Sequence, residues 1–127
     1  MRARLIRALD AFVNCMEYPC PACGFMTFDE PPGSYNLCAV CDWEDDSVQL
    51  RFPSMRGGAN GDSLFEYQQK VLKTFSPSVK SAKGCIRDAQ WRPLTPDDCQ
   101  EADGMPQSGR EYFDSIDAEE PKYYWRA

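Results

Sequence analysis

Apolar residues recur at three- and four-residue intervals in two stretches of the chain, and these stretches predict its helices. In residues 2–14, Leu5, Ile6, Leu9, Phe12 and Val13 share one side, with Arg4, Arg7 and Asp10 on the other, the stripe of an amphipathic helix. Such a face usually buries against its own domain, so this helix is expected to cover the rest of the molecule. In residues 63–75, Leu64, Tyr67, Val71 and Phe75 fall on one face, with Phe65 and Leu72 beside it. Ser63-Leu64-Phe65-Glu66 places a hydroxyl three residues before a glutamate, the pattern of a capping box. Ser76-Pro77 should end the helix at about Phe75. Between the helices the period shortens. Phe25-Met26-Thr27-Phe28 and Tyr35-Asn36-Leu37 read as strands about the turn formed by residues 29–34, which holds two prolines and a glycine. Ser47-Val48-Gln49-Leu50 alternates and reads as a third strand. Beyond residue 76 the pattern weakens. Trp91-Arg92-Pro93-Leu94 reads as extended. Thr95 and Pro96 start a short helix that ends near Gly104, and residues 110–116 fit either helix or strand.

Four cysteines sit inside the strand-rich part. Cys20-Pro21-Ala22-Cys23-Gly24 is followed, after thirteen intervening residues, by Cys38-Ala39-Val40-Cys41. Two C-x-x-C pairs at this separation read as a tetrathiolate site for one structural Zn2+, with Cys20, Cys23, Cys38 and Cys41 as the metal ligands. Gly24 supplies the left-handed conformation that such a turn needs. The predicted fold class is α+β: a small zinc-ribbon β-hairpin module flanked by helices, with an irregular C-terminal part. Residues 1–75 form the four-cysteine domain with its N-terminal and capping helices, and residues 76–127 pack on it as an extension.

Composition narrows the chemistry. The chain has 127 residues and a hydrophobic fraction of 43%, with a mean hydropathy of -0.57. It is long enough for one packed core and has no apolar run that would span a membrane. No apolar segment with a small-residue cleavage site follows the basic start, so no signal peptide is expected. Seven cysteines without an export signal imply reduced thiols and a cytoplasmic location. There is no histidine, which removes the commonest general base and the usual ligand of a catalytic zinc. Asp97 with Asp98 and Glu119 with Glu120 are adjacent in sequence and do not face one another, so they make poor acid–base pairs. Of the other thiols, Cys15, Cys85 and Cys99, Cys85 lies among Lys80, Lys83 and Arg87, which would favour a thiolate. A small buried hydrophobe is the simpler role. An enzyme is not expected, and no catalytic residue is assigned.

The formal charge of -6 is unevenly spread. Residues 8–50 hold eight acids and no Lys or Arg, residues 51–87 carry a net +5, and residues 88–127 a net -6. A divalent ion in four thiolates would add about -2 to the ribbon. An acidic face with aromatic anchors suits capture of a protein with a basic surface. The candidate partner-binding residues are Asp42, Glu44, Asp45 and Asp46 on the ribbon, and Tyr112, Phe113, Asp114, Asp117, Tyr123, Tyr124 and Trp125 in the tail. The alternative is a nucleic-acid-associated zinc ribbon that uses the basic 51–87 segment, although the ribbon's own field repels phosphate.

Tyr18-Pro19-Cys20-Pro21-Ala22-Cys23-Gly24, Gly33-Ser34-Tyr35, Cys38-x-x-Cys41, Trp43-Glu44-Asp45-Asp46 and Gly57-Gly58-Ala59-Asn60-Gly61-x-Ser63-Leu64 together resemble the bacterial CPCC cysteine-rich family over residues 17–67. The family pattern is Cys-Pro-Cys-Cys-Gly, and Ala22 here replaces its middle cysteine, which leaves Cys20 and Cys23 as the ligands by spacing. The family brings no defined activity. By analogy with small proteins of this kind, the resemblance implies an immunity or antitoxin protein that binds and blocks a basic toxin domain.

Overall fold

The computed structural model describes residues 16–99 and 122–126. The helix expected over 2–14, the thiol of Cys15 and the residues of 110–116 lie outside that range. The described chain runs β1 (Tyr18–Pro19), β2 (Met26–Phe28), α1 (Ser47–Arg51), α2 (Leu64–Thr74), β3 (Ser81–Ala82), β4 (Cys85–Ile86) and a 3-10 turn (Pro96–Cys99). It is a small α+β domain. No helix among the described residues is long and apolar enough to cross a membrane.

Each C-x-x-C turn forms the tip of its own hairpin. β1 pairs antiparallel with β2, Tyr18 opposite Phe28 and Pro19 opposite Met26, and the Cys20 amide donates to the Phe25 carbonyl at 2.9 Å. In the second hairpin Leu37 bridges to Glu44, and the Cys38 amide donates to the Trp43 carbonyl at 2.9 Å. The sequence reading paired 25–28 with 35–37, and the structure corrects it. The cysteine turn itself reverses the chain, so the segments flanking each turn become partners. Pro31 and Pro32 have no amide hydrogens to extend a ladder across residues 29–34.

The predicted third strand is helix α1. The Asp46 carboxylate caps it, accepting from the amides of Val48 at 2.8 Å and Gln49 at 3.2 Å. Its alternation misled because Ser47, Val48, Gln49 and Leu50 are all buried. α2 has the expected capping box between Ser63 and Glu66. Its buried stripe is Leu64, Gln68 and Val71, so a glutamine occupies the apolar face. The weakly patterned stretch beyond 76 contains a third hairpin. β3 and β4 meet at Lys83-Gly84, both in the left-handed region at φ 50 and 82°, the pair of conformations that a two-residue type I′ turn requires. The Arg87 position then bridges to Phe25, joining this hairpin to the first. Thr95 and Pro96 open the 3-10 turn rather than an α-helix, and the Asp98 carboxylate reaches back to the Thr95 amide at 2.8 Å.

One core cluster holds the structure together. It combines Phe25, Phe28, Trp43, Leu64, Val71, Leu94 and Tyr123 with Cys20, Cys23, Cys38 and Cys85. Cys85 is fully buried there, the small-hydrophobe role. Residues from both sides of position 75 enter this one cluster.

Candidate metal centre

The two hairpin tips face each other and bring four sulfurs together. The Sγ atoms of Cys20, Cys23, Cys38 and Cys41 all lie within 4.8 Å of one another. The Cys20–Cys41 and Cys23–Cys38 separations are 3.7 and 3.6 Å. Four thiolates about 2.3 Å from a central tetrahedral ion stand about 3.8 Å apart, whereas a disulfide needs about 2.05 Å. The cluster therefore has the dimensions of a metal cage, and none of the six described cysteines is in a disulfide.

The local backbone explains the geometry. In the first turn the Gly24 amide donates to the Cys20 carbonyl at 2.7 Å, and in the second the Asp42 amide donates to the Cys38 carbonyl at 2.8 Å. The residue after the second cysteine is left-handed in both, Gly24 at φ 81° and Asp42 at φ 69°. Aspartate is among the few side chains that adopt this region readily. Gly24 is constrained further, because a Cβ there would stand 2.5 Å from a Trp91 ring carbon. Gly24→Ala is expected to lower the thermal midpoint of the metal-loaded protein by about 5–10 °C, from left-handed strain and displacement of Trp91. A melt within a degree or two of the parent would show that Trp91 yields freely.

Cys20, Cys23 and Cys38 are fully buried and Cys41 half-buried. Cys38 receives three protein donors: the Thr27 hydroxyl at 3.2 Å and the amides of Val40 and Cys41 at 3.4 Å. Hydrogen bonds from the neighbouring thiols of Cys20, Cys23 and Cys41, together with Thr27, hold the Cys38 thiol far below its ordinary range. Burial pushes Cys20 and Cys23 well above theirs. Four anionic sulfurs cannot share a dry pocket without a cation, and a bound metal resolves that conflict. All four corners are thiolates, which leaves no protein-defined position for water or substrate.

A shell of distant side chains recognises the outward carbonyls of the first turn. Gln68 Nε2 donates to Pro21 and Ala22, both at 3.2 Å, and its Oε1 accepts from the Leu94 amide at 2.7 Å. The Trp91 indole donates to Pro21 at 3.3 Å. Arg87 Nε donates to Cys23 at 2.8 Å. On the second turn, Lys83 Nζ donates to the Val40 carbonyl at 3.0 Å and the Tyr67 hydroxyl to the Cys41 carbonyl. Burial raises the Tyr67 phenol to about 12, with the nearby thiolates adding to the effect.

The candidate docking acids divide. Asp42 is exposed and Glu44 half-buried. Asp45 and Asp46 are only 2% and 3% exposed, which corrects their assignment to an interaction face. Asp45 accepts from the Gly33 and Ser34 amides and from the Ser34 hydroxyl at 2.7 Å, and burial raises its carboxyl. Asp46 caps α1 and accepts from the Ala59 amide at 2.8 Å. Asn60 joins the same system, exchanging hydrogen bonds with the Glu44 backbone at 3.0 and 2.8 Å. Gln49, fully buried, donates to the carbonyls of Met55, Asn60 and Asp62. The acidic run 44–46 and the glycine-rich loop 57–61 thus bind each other. In the tail, Tyr123 is buried and Tyr124 and Trp125 are half-buried, so these rings complete the core. Tyr112, Phe113, Asp114 and Asp117 lie outside the described residues.

Two facing hairpin tips, a buried four-sulfur cage and a shell of carbonyl-binding side chains define a small four-cysteine metal-binding structural module. The family model for cysteine-rich CPCC proteins matches residues 18–91, more than half of the chain, and the chain belongs to that family. The matched region extends past 67 to include Arg87 and Trp91, the residues that grip the first cysteine turn. No curated protein matches the chain.

Proposed function

We propose that the chain is a zinc-held protein-binding module of the immunity or antitoxin type, which binds and blocks a basic toxin domain. Zinc is the ion that a closed tetrahedral thiolate site suits, and in this reading it holds the fold and runs no reaction. The observation that carries the proposal is the outer face of the second hairpin. Tyr35 and Leu37 are 47% and 63% exposed, in the same hairpin as exposed Asp42 and half-buried Glu44. Exposed large apolar side chains beside acids, in a stretch of 43 residues without one basic residue, suit a partner with a basic, aromatic-lined surface. The nucleic-acid alternative draws on residues 51–87. There Arg56 pairs with Glu66 and Lys70 with Asp62, Lys83 is held by Val40, and Arg87 is buried. That leaves Arg51, Lys73 and Lys80 to meet a phosphate backbone.

The test is co-purification with the product of the neighbouring gene, with metal content measured on the complex. A stable complex is expected, weakened about tenfold or more by Leu37→Ser with Asp42→Asn. The asparagine keeps the left-handed backbone while removing the charge. Absence of a complex, together with absence of protection from the neighbouring product, would end this reading.

A further inference from the structure

The end of α1, the 3-10 turn and residues 122–126 enclose a cleft of about 290 Å³ lined by Leu50, Arg51, Pro53, Asp98, Lys122, Tyr123, Tyr124 and Arg126. We propose that this cleft binds a small polyphosphate group, free or carried on a nucleoside. Three cations and one acid line it, in a chain whose formal net charge is -6. The acid does not oppose a bound anion. The Asp98 carboxylate is spent on Arg92 at 2.7 and 3.1 Å and on the Thr95 amide and hydroxyl at 2.8 and 2.9 Å. Arg126 is shared with Asp88 at 2.8 Å. Arg51 and Lys122 have no carboxylate partner among the described residues.

Two guanidinium groups and an ammonium around one concavity match a multiply charged phosphate. Arginine forks take its oxygens two at a time, and lysine adds a point charge. Low-dielectric walls concentrate that field within the cleft. The Tyr123 and Tyr124 rings supply an apolar boundary for an organic substituent. The volume lies at the lower limit for small-molecule sites and is too small for a folded partner. The cleft draws on residues other than those of the second-hairpin face, so it stands apart from the proposed protein partner.

The metal-loaded full chain is titrated calorimetrically with inorganic pyrophosphate and, separately, with adenosine diphosphate, at low and at physiological salt. Saturable one-to-one binding is expected, weakening with salt. Arg51→Gln with Lys122→Gln should weaken it at least about tenfold. Lys70→Gln, which removes a cation already paired with Asp62, should leave it within about twofold. Both altered cleft residues are exposed, and unchanged circular dichroism and metal content would show the fold intact. Equal affinity for the two probes assigns the site to the phosphates alone, and tighter binding of the nucleotide assigns it to a nucleoside polyphosphate. No saturable binding of either probe at millimolar concentration would overturn the proposal. So would binding that the double variant leaves unchanged, which would mark an adventitious ion only.

Discussion

Stripping the metal should abolish cooperative unfolding of the whole described domain. Structural zinc sites in finger peptides contribute about 10–16 kcal/mol, as much as or more than the 5–15 kcal/mol that stabilises a typical domain. Here the cage lies inside the main core cluster, with Cys20, Cys23 and Cys38 packed beside Phe25, Trp43 and Leu64. Without the ion, these sulfurs either retain protons or repel one another. Chelation, or Cys38→Ser, is expected to remove one equivalent of metal and replace the thermal transition by a broad, sloping melt. Cys38 is chosen because its sulfur also accepts from Thr27, Val40 and Cys41. Cys85→Ser is the control. It places a hydroxyl in the same core at a cost of about 1–3 kcal/mol and should keep the metal. Because the ligands must shed protons to bind, metal affinity should fall as pH is lowered. An apo form that melts cooperatively within a few degrees of the loaded protein would show that the cage is dispensable.

Arg87→Ala should be the most damaging single change away from the cysteines, at about 3–5 kcal/mol. The side chain is 9% exposed, yet every guanidinium nitrogen has a partner. Nε meets Cys23, Nη1 meets Ser76 at 2.6 Å and Val79 at 3.0 Å, and Nη2 meets Phe75 at 3.0 Å. The Phe75, Ser76 and Val79 carbonyls lie at and beyond the C-terminus of α2, where the helix dipole favours a cation. The guanidinium also stacks on the Phe25 ring at 4.4 Å and the Trp91 ring at 4.6 Å. Burial lowers its pKa, while the charge of Cys23 acts in the opposite direction. Arg87→Lys keeps the charge but loses the planar fork, and should recover less than half of the loss. Denaturant midpoints of the metal-loaded variants measure both effects. A loss below about 1 kcal/mol for the alanine variant would mean that water replaces the guanidinium without difficulty.

The sequence made the metal ligands legible because a C-x-x-C spacing is a local constraint. Two thiols three residues apart can turn onto one ion whatever the rest of the chain does. The α2 capping box was legible for the same reason. The hairpin pairing was misread because strand periodicity does not encode which neighbour a strand takes. Helix α1 was missed because its alternating residues all became buried, and the decisive signal was Asp46, a good cap, immediately before them. Asp45 and Asp46 were assigned to an interaction face on charge alone, yet their donors come from residues 33–34 and 59. Composition cannot reveal such pairing. Gln68 offered a usable clue: an amide between Leu64 and Val71 on an apolar stripe needs partners, and it finds them on the cysteine turn. Arg87 offered none, since one arginine in a basic run looks like any other.

The Tyr124 hydroxyl lies 3.3 Å from the Pro21 carbonyl, across 103 residues of chain. During synthesis Pro21 is joined to the chain 103 residues before Tyr124, and at 5–20 residues per second the delay is about 5–20 s. Through the later part of that interval the first cysteine turn has emerged without one of the groups that will cover it. Water must solvate its open carbonyls, and thiols already exposed to the cell can meet an ion before translation ends. Metal loading on the nascent chain would then precede closure of the protein around it.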